Sequence, residues 1–339
     1  MAPGVTSRIG IGFTGEGLGV REIIELGVAA ERAGLDSAWH AENQRDPWVP
    51  LSVIASRTER IRIGTGIALW ARSPVVMELA AANLDELSGG RFVLGLGTGP
   101  KERNERWYGI PYDAPVERLR EWIELLRLMW TAHDGRTIDY PGPQLPVKGH
   151  RRALRPYRER IPIYAGGMRR KMLELAGELA DGVILDSICT PRYVSERALP
   201  WLRAGLKRAG RERGDIEVAA MLIAAVDPDL ERARKRARPQ VAYYLGGSHA
   251  DPIIRLHGWE EQAERLRAAR AEGDIEGMVV AVDDAMLDEI ALVGPADRCR
   301  AQLDRLDGID LAILVPAAWR VEPGDVRKGA GAILEAFGR

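Results

Sequence analysis

Residues 84–100 read LDELSGGRFVLGLGTGP. In this stretch a helix ends, the chain turns on two glycines, and an apolar strand runs into a glycine-spaced loop. Leu79, Ala82, Asn83 and Leu87 keep a three-to-four spacing, and Gly89 and Gly90 supply the left-handed conformations that close a helix. Phe92, Val93, Leu94 and Leu96 form an apolar run without polar alternation, which marks a strand buried on both faces in a parallel sheet covered by helices. Gly95, Gly97 and Gly99 follow at every second position, with Thr98 between the last two. Glycine at the carboxyl end of such a strand lets a ligand approach bare backbone, so the stretch predicts a site as well as a strand. The competing reading is that these glycines only turn the chain. A dinucleotide fingerprint fails by counting: from Gly95 the third glycine falls on Pro100, and from Gly97 on Glu102.

Outward from this stretch, apolar runs and helical spacings alternate. Strands are predicted at 8–13, 35–39, 61–65, 92–96, 161–165, 183–185, 216–226 and 311–315. Helices are predicted at 20–33, 47–57, 74–87, 116–130, 172–180, 191–210, 230–245, 259–272, 295–306 and 326–337, with Pro200 breaking or kinking the sixth. Residues 133–160, rich in Pro, Gly and Arg, read as an insertion with a hairpin, and residues 246–275 as a second insertion. Excess length in insertions rather than in a linker predicts one (β/α)8 TIM barrel over residues 1–339. An open doubly wound sheet is the alternative, because a sequence does not show closure.

The bulk numbers exclude several classes. Among 339 residues, 46% are hydrophobic and 29% charged, as in an ordinary soluble enzyme. Lys and Arg total 48 against 49 Asp and Glu, so no polyanion-binding balance is present, and nucleic acid and anionic membrane are not expected partners. Cys189 and Cys299 stand far apart without a CxxC, as reduced thiols do. No basic-then-apolar leader opens the chain and no run approaches a membrane span, which predicts a cytoplasmic protein.

In a barrel the ligand lies across the strand exits. The glycine pairs Gly97–Gly99 and Gly166–Gly167 precede helices and suit phosphate. His40, His133, His150, His249 and His257 are scattered without metal-ligand spacing, and no G-x-S-x-G elbow exists. Glu42 and Asn43, at the exit of the second strand, are the candidate catalytic pair, since a carboxylate beside an amide can orient a heterocycle or pass a proton. A loop with its charges in water is the plainer alternative. Trp39, Trp48 and Trp70 flank the same exits and can stack on a planar ring or simply pack.

Together, GTGIALWARSP (64–74), LDELSGGRFVLGLGTG (84–99), PIYAGGMRRKMLELAGELADGVIL (162–185) and ALVGPADRC (291–299) resemble the bacterial luciferase-like oxidoreductases. The MLELAGELADG segment is most similar to the branch holding methylenetetrahydromethanopterin reductase and the sugar-phosphate dehydrogenases that use coenzyme F420. The resemblance implies a flavin or deazaflavin across the barrel mouth and a non-proline cis peptide after the third strand, here Gly66-Ile67. It places tail-phosphate contacts on Gly97, Thr98, Gly99 and Asn104, and on Ala165, Gly166, Gly167 and Met168. It also implies a homodimer.

Two departures qualify it. Where the deazaflavin branch commonly has Asp-His, this chain has Glu42-Asn43, and an Asn cannot exchange the histidine's proton. Where the sugar-phosphate dehydrogenases carry a glutamate after the glycine loop, this chain has Pro100. The expected function is F420-dependent hydride transfer to or from a small organic substrate, walled by the two insertions. The alternatives are a monooxygenase using flavin mononucleotide (FMN) and a non-catalytic cofactor-binding protein.

Overall fold

The computed structural model describes residues 8–339; the leader-free reading of residues 1–7 lies outside them. Eight strands run Arg8–Phe13 (β1), Ser37–His40 (β2), Arg62–Thr65 (β3), Phe92–Gly97 (β4), Ile163–Gly166 (β5), Gly182–Leu185 (β6), Glu217–Val226 (β7) and Leu311–Pro316 (β8). Each pairs in parallel with the next, and β8 pairs with β1. The ring is closed, so the fold is a (β/α)8 TIM barrel and the open sheet is excluded. The six residues of β4 are all buried, as its unbroken apolar run requires. Gly89 and Gly90, at φ of 62° and 82°, end the helix Pro74–Leu87. Pro200 does not break its helix: a wide π turn at Val194–Ala198 runs directly into Leu199–Arg208, in whose first turn the missing N–H is tolerated.

Small residues on the strands leave the lumen to a few large ones. A Cβ on Gly64 would lie 2.3 Å from the Trp39 ring, and one on Gly12 would lie 2.9 Å from Ile313. Trp39 therefore fills the barrel interior beside Tyr164 and Met221. Where the strands begin, Glu217 accepts from Arg62 at 2.9 Å and from Arg8 at 2.5 Å. Burial pushes the Glu217 carboxyl up, but its hydrogen bonds and charge pairing with Arg62, then Arg8, hold it below the usual range. The barrel is thus plugged at one end, leaving the strand exits for chemistry.

The insertions part company. Residues 133–160 join the helix Pro115–Thr131 to β5 and carry the hairpin Thr137–Tyr140 with Val147–Arg151. Glu121 of that helix accepts the N–H of Gln144 and of Leu145, at 3.0 and 2.9 Å. Arg152 pairs with buried Glu78, and Arg158 pairs with Asp85 and donates to the carbonyl of Phe92 at 2.9 Å. The expectation that this insertion walls the substrate is corrected: its contacts run along the outer helices and to the Phe92 carbonyl where β4 begins, away from the exits. The second insertion follows the helix Leu230–Leu245, which is itself held at the strand exits by Gln240 through the Ala318 N–H at 2.6 Å. Its first part is more helical than expected, with Asp251–His257 before Glu260–Glu272, and it packs over the exits of β5 and β6.

Candidate active site

The bond Gly66-Ile67 is cis, as the resemblance implied. It forms a bulge at the exit of β3 that neighbouring backbone holds on both sides. The Gly66 N–H donates to the His40 carbonyl at 2.9 Å, and the Glu42 N–H donates to the Ile67 carbonyl at 3.0 Å. The Glu42 carboxylate accepts the Leu69 N–H at 2.7 Å and Arg72 Nε at 3.0 Å, and Arg72 also pairs with Asp46. Glu42 is therefore a hydrogen-bonded carboxylate that braces the bulge.

The glycines of the next two exits are shaped by this bulge. A Cβ on Gly97 would lie 2.2 Å from Ile67 Cδ1, and one on Gly166 would lie 3.0 Å from the same atom. Thr98 accepts from the Tyr112 hydroxyl at 3.0 Å, and Gly99, at φ 64°, turns the chain into the helix Lys101–Trp107. Asn104 is fully engaged: its Nδ2 donates to the carbonyls of Thr98 (2.7 Å) and Pro100 (2.9 Å), and its Oδ1 accepts from Trp70 Nε1. It builds the loop and has no donor left for a phosphate, so that expected contact is corrected. Across the mouth, Ala165 is buried and the Gly167 N–H donates to the Ile184 carbonyl at 3.2 Å. Met168 is fixed from two sides, by the Tyr193 hydroxyl on its carbonyl and the Asp186 N–H on its sulfur. Trp39, Trp48 and Trp70 are all buried, so the packing alternative holds for them.

Glu16, in the loop after β1, is a titratable group of this mouth with a shifted carboxyl. Gly15 and Gly17, at φ of 80° and 67°, fold the loop after β1, and Arg45 Nε holds it through the Gly15 carbonyl at 3.1 Å. Burial raises the Glu16 carboxyl above its usual range, against the opposing pull of Arg103 and of the Asn43 amide. Asn43 Oδ1 is buried and without a partner. His40 is fully buried, and burial lowers its pKa, so it is neutral. Strand alternation turns it away from the lumen that Trp39 fills.

A sequence profile described as luciferase-like monooxygenase matches residues 4–309. The 5,10-methylenetetrahydromethanopterin reductase of Archaeoglobus fulgidus is 33% identical over 285 residues, 82% of this chain and 83% of that protein. The enzyme of the same name from Methanolobus tindarius is 31% identical over 305 residues, 87% of this chain and 90% of its own. The solved coenzyme F420 dependent tetrahydromethanopterin reductase of Methanopyrus kandleri superposes with a TM-score of 0.83 at 25% identity, covering 98% of this chain and 99% of that one. The chain belongs to the luciferase-like family and is an oxidoreductase of that barrel class. Among the described residues no helix is long and apolar enough to cross a membrane.

Proposed function

We propose that this enzyme is a cytoplasmic, coenzyme F420-dependent oxidoreductase that moves a hydride between the deazaflavin and a small organic substrate. The observation carrying this reading is the bulge at Gly66-Ile67, held through Glu42 and flanked by glycines whose Cβ atoms would strike Ile67. It stands at the mouth of a barrel that superposes along 98% of the chain on a reductase described as coenzyme F420 dependent.

The residues present fit such a group. Asn43 Oδ1, buried and unpartnered, is an acceptor suited to the ring N–H of a pyrimidine edge. Gly97, Thr98 and Gly99, with Ala165, Gly166, Gly167 and Met168, border the space for the cofactor. The first N–H groups of Lys101–Trp107 and the Arg103 side chain suit its anionic tail. When bound, the deazaflavin supplies the ring carbon that gives or accepts the hydride. The chain's own part is to back the ring with the bulge, shield the exits with its second insertion, and hold or release a proton at Glu16. Asn43 positions that carboxyl, and Glu42 positions the bulge.

The FMN monooxygenase is the second reading, favoured by the description of the matching profile. The non-catalytic reading stands against relatives named as reductases along most of the chain. Two copies of the chain would associate through Val76, Leu79 and Leu87 on the outer face of Pro74–Leu87, with Val49 on the adjoining helix, all half exposed. Turnover separates the two enzymatic readings. Under nitrogen, alcohols or carbonyl compounds should change the absorbance of the deazaflavin; oxygen uptake with reduced FMN, and no reaction of the deazaflavin, would favour the monooxygenase.

A further inference from the structure

The floor of the mouth is set by one side chain that the reading above leaves without a task. β7 turns Glu217, Ala219 and Met221 into the lumen at every second residue, with Glu217 in the plug and Met221 two steps above it. Met221 stands in register with Ile313 of β8, and its methyl crosses the lumen toward β1 and β3. Met221 Cε lies 3.4 Å from the place of a Cβ on Gly12 and 3.6 Å from that of a Cβ on Gly66. Gly12 belongs to β1 and Gly66 opens the bulge, so two missing side chains leave an unbranched one room to span the barrel. Among the buried apolar side chains packed in the lumen, Met221 is the most exposed, at 8%, whereas Trp39, Ile313 and Val315 stand at 0%. Ile67, on the bulge, packs against the same cluster. The Met221 methyl is therefore the top of the lumen packing and the bottom of the mouth. Its surroundings offer a ligand no hydrogen bond. Ile313 and Val315 are hydrocarbon, Trp39 Nε1 is spent on Ser37 Oγ at 2.8 Å, and the Gly66 N–H is spent on the His40 carbonyl at 2.9 Å.

We propose that Met221 sets the depth of the substrate site, and that the substrate points an unbranched apolar group of limited length at it. This rests on the hydride-transfer reading: a ring backed by the bulge leaves a fixed distance between the reacting carbon and the floor. Each methylene that enters this space leaves water for the hydrocarbon of Met221 and Ile67 and tightens binding about fourfold. The first one to meet the Met221 methyl has to displace it and gains nothing. Met221 takes no part in the chemistry; it decides which substrates bring their reacting carbon to the ring. Met221→Ala takes away Cγ, Sδ and Cε, a reach of three atoms, and Met221→Leu shortens the side chain by one.

The test titrates the protein holding coenzyme F420 with the 2-alkanols from 2-propanol to 2-decanol, read by the fluorescence of the deazaflavin. In the wild type, affinity should rise about fourfold per added carbon and then level off at one chain length. In Met221→Ala the levelling should come about three carbons later, in Met221→Leu about one carbon later, and in Met221→Phe about one carbon earlier. Met221→Leu nearly conserves volume and carries the test where the alanine variant does not fold. Looser packing alone would weaken every homologue alike and leave the levelling where it is in the wild type. That result would overturn the inference. So would an affinity that climbs without levelling in the wild type, or no response to any 2-alkanol from a protein that binds F420. No binding of F420 by the wild type would remove the hydride-transfer reading itself, and this inference with it.

Discussion

The Glu42 carboxylate accepts the Leu69 backbone N–H at 2.7 Å, while its own N–H reaches the Ile67 carbonyl at 3.0 Å. One residue thus holds both arms of the bulge against which the cofactor is proposed to lie. Glu42→Ala leaves the Leu69 N–H without its acceptor and Arg72 with Asp46 alone, at a cost of about 1.5–3 kcal/mol for a charge-assisted pair. Denaturant unfolding should report that loss, and the dissociation constant of F420 should rise about tenfold or more in step with it. Glu42→Gln keeps an acceptor for Leu69 and should retain most of the turnover; abolished turnover at unchanged affinity would return Glu42 to the role of proton donor.

Gly97 is expected to be needed because of Ile67 rather than because of a phosphate alone. A methyl at residue 97 meets Ile67 Cδ1 at 2.2 Å, so Gly97→Ala should cost about 1–3 kcal/mol of stability through overpacking and should weaken F420 binding. Adding Ile67→Ala should recover much of the stability. Thermal melts of the two single variants and the double variant give the coupling; strict additivity would mean the two side chains do not collide.

Glu16 makes the stability of the fold pH-dependent in a defined direction. Its carboxyl pKa is raised, by burial above all, so between the unfolded value of 4.5 and the folded one the native state holds more protons than the unfolded state. Stability therefore falls as pH rises through that window. Glu16→Gln should be more stable than the wild type above it, and the difference should vanish below pH 4.5. Urea midpoints across the pH range check this, and a difference that grows toward acid would contradict it.

A charge on the outer face of Pro74–Leu87 should separate the proposed pair of copies. Leu79 is 47% exposed in the single chain, so Leu79→Glu should leave the monomer's stability nearly unchanged while sedimentation shifts from dimer to monomer. A wild type that sediments as a monomer would end that reading.

The barrel was legible because its signals are local and repeated. The apolar run of β4 and the glycine pair before it each state a conformation without help from distant residues. Strand starts drifted by a residue or two, as at β5, which begins on Ile163 rather than Ile161. The site was less legible, for reasons that lie in tertiary contact. Glu42 looks like an acid at a strand exit, and only the fold shows that a backbone N–H and an arginine saturate it. Asn104 looks like a phosphate ligand until its amide is seen to be used up inside its own loop. Glu16 sits among glycines with nothing in its surroundings to mark it, since Arg103 and Asn43 reach it from other strand exits. The insertion at 133–160 shows its length in the sequence, whereas its place along the outer helices is set by tertiary contacts with Glu78, Asp85 and Glu121.

The most direct test of the account is a fluorescence titration of the purified protein with coenzyme F420 and, separately, with FMN. Binding of the deazaflavin at micromolar concentration or tighter, with FMN at least tenfold weaker, is the predicted result. Preference for FMN, or binding of neither, would contradict it.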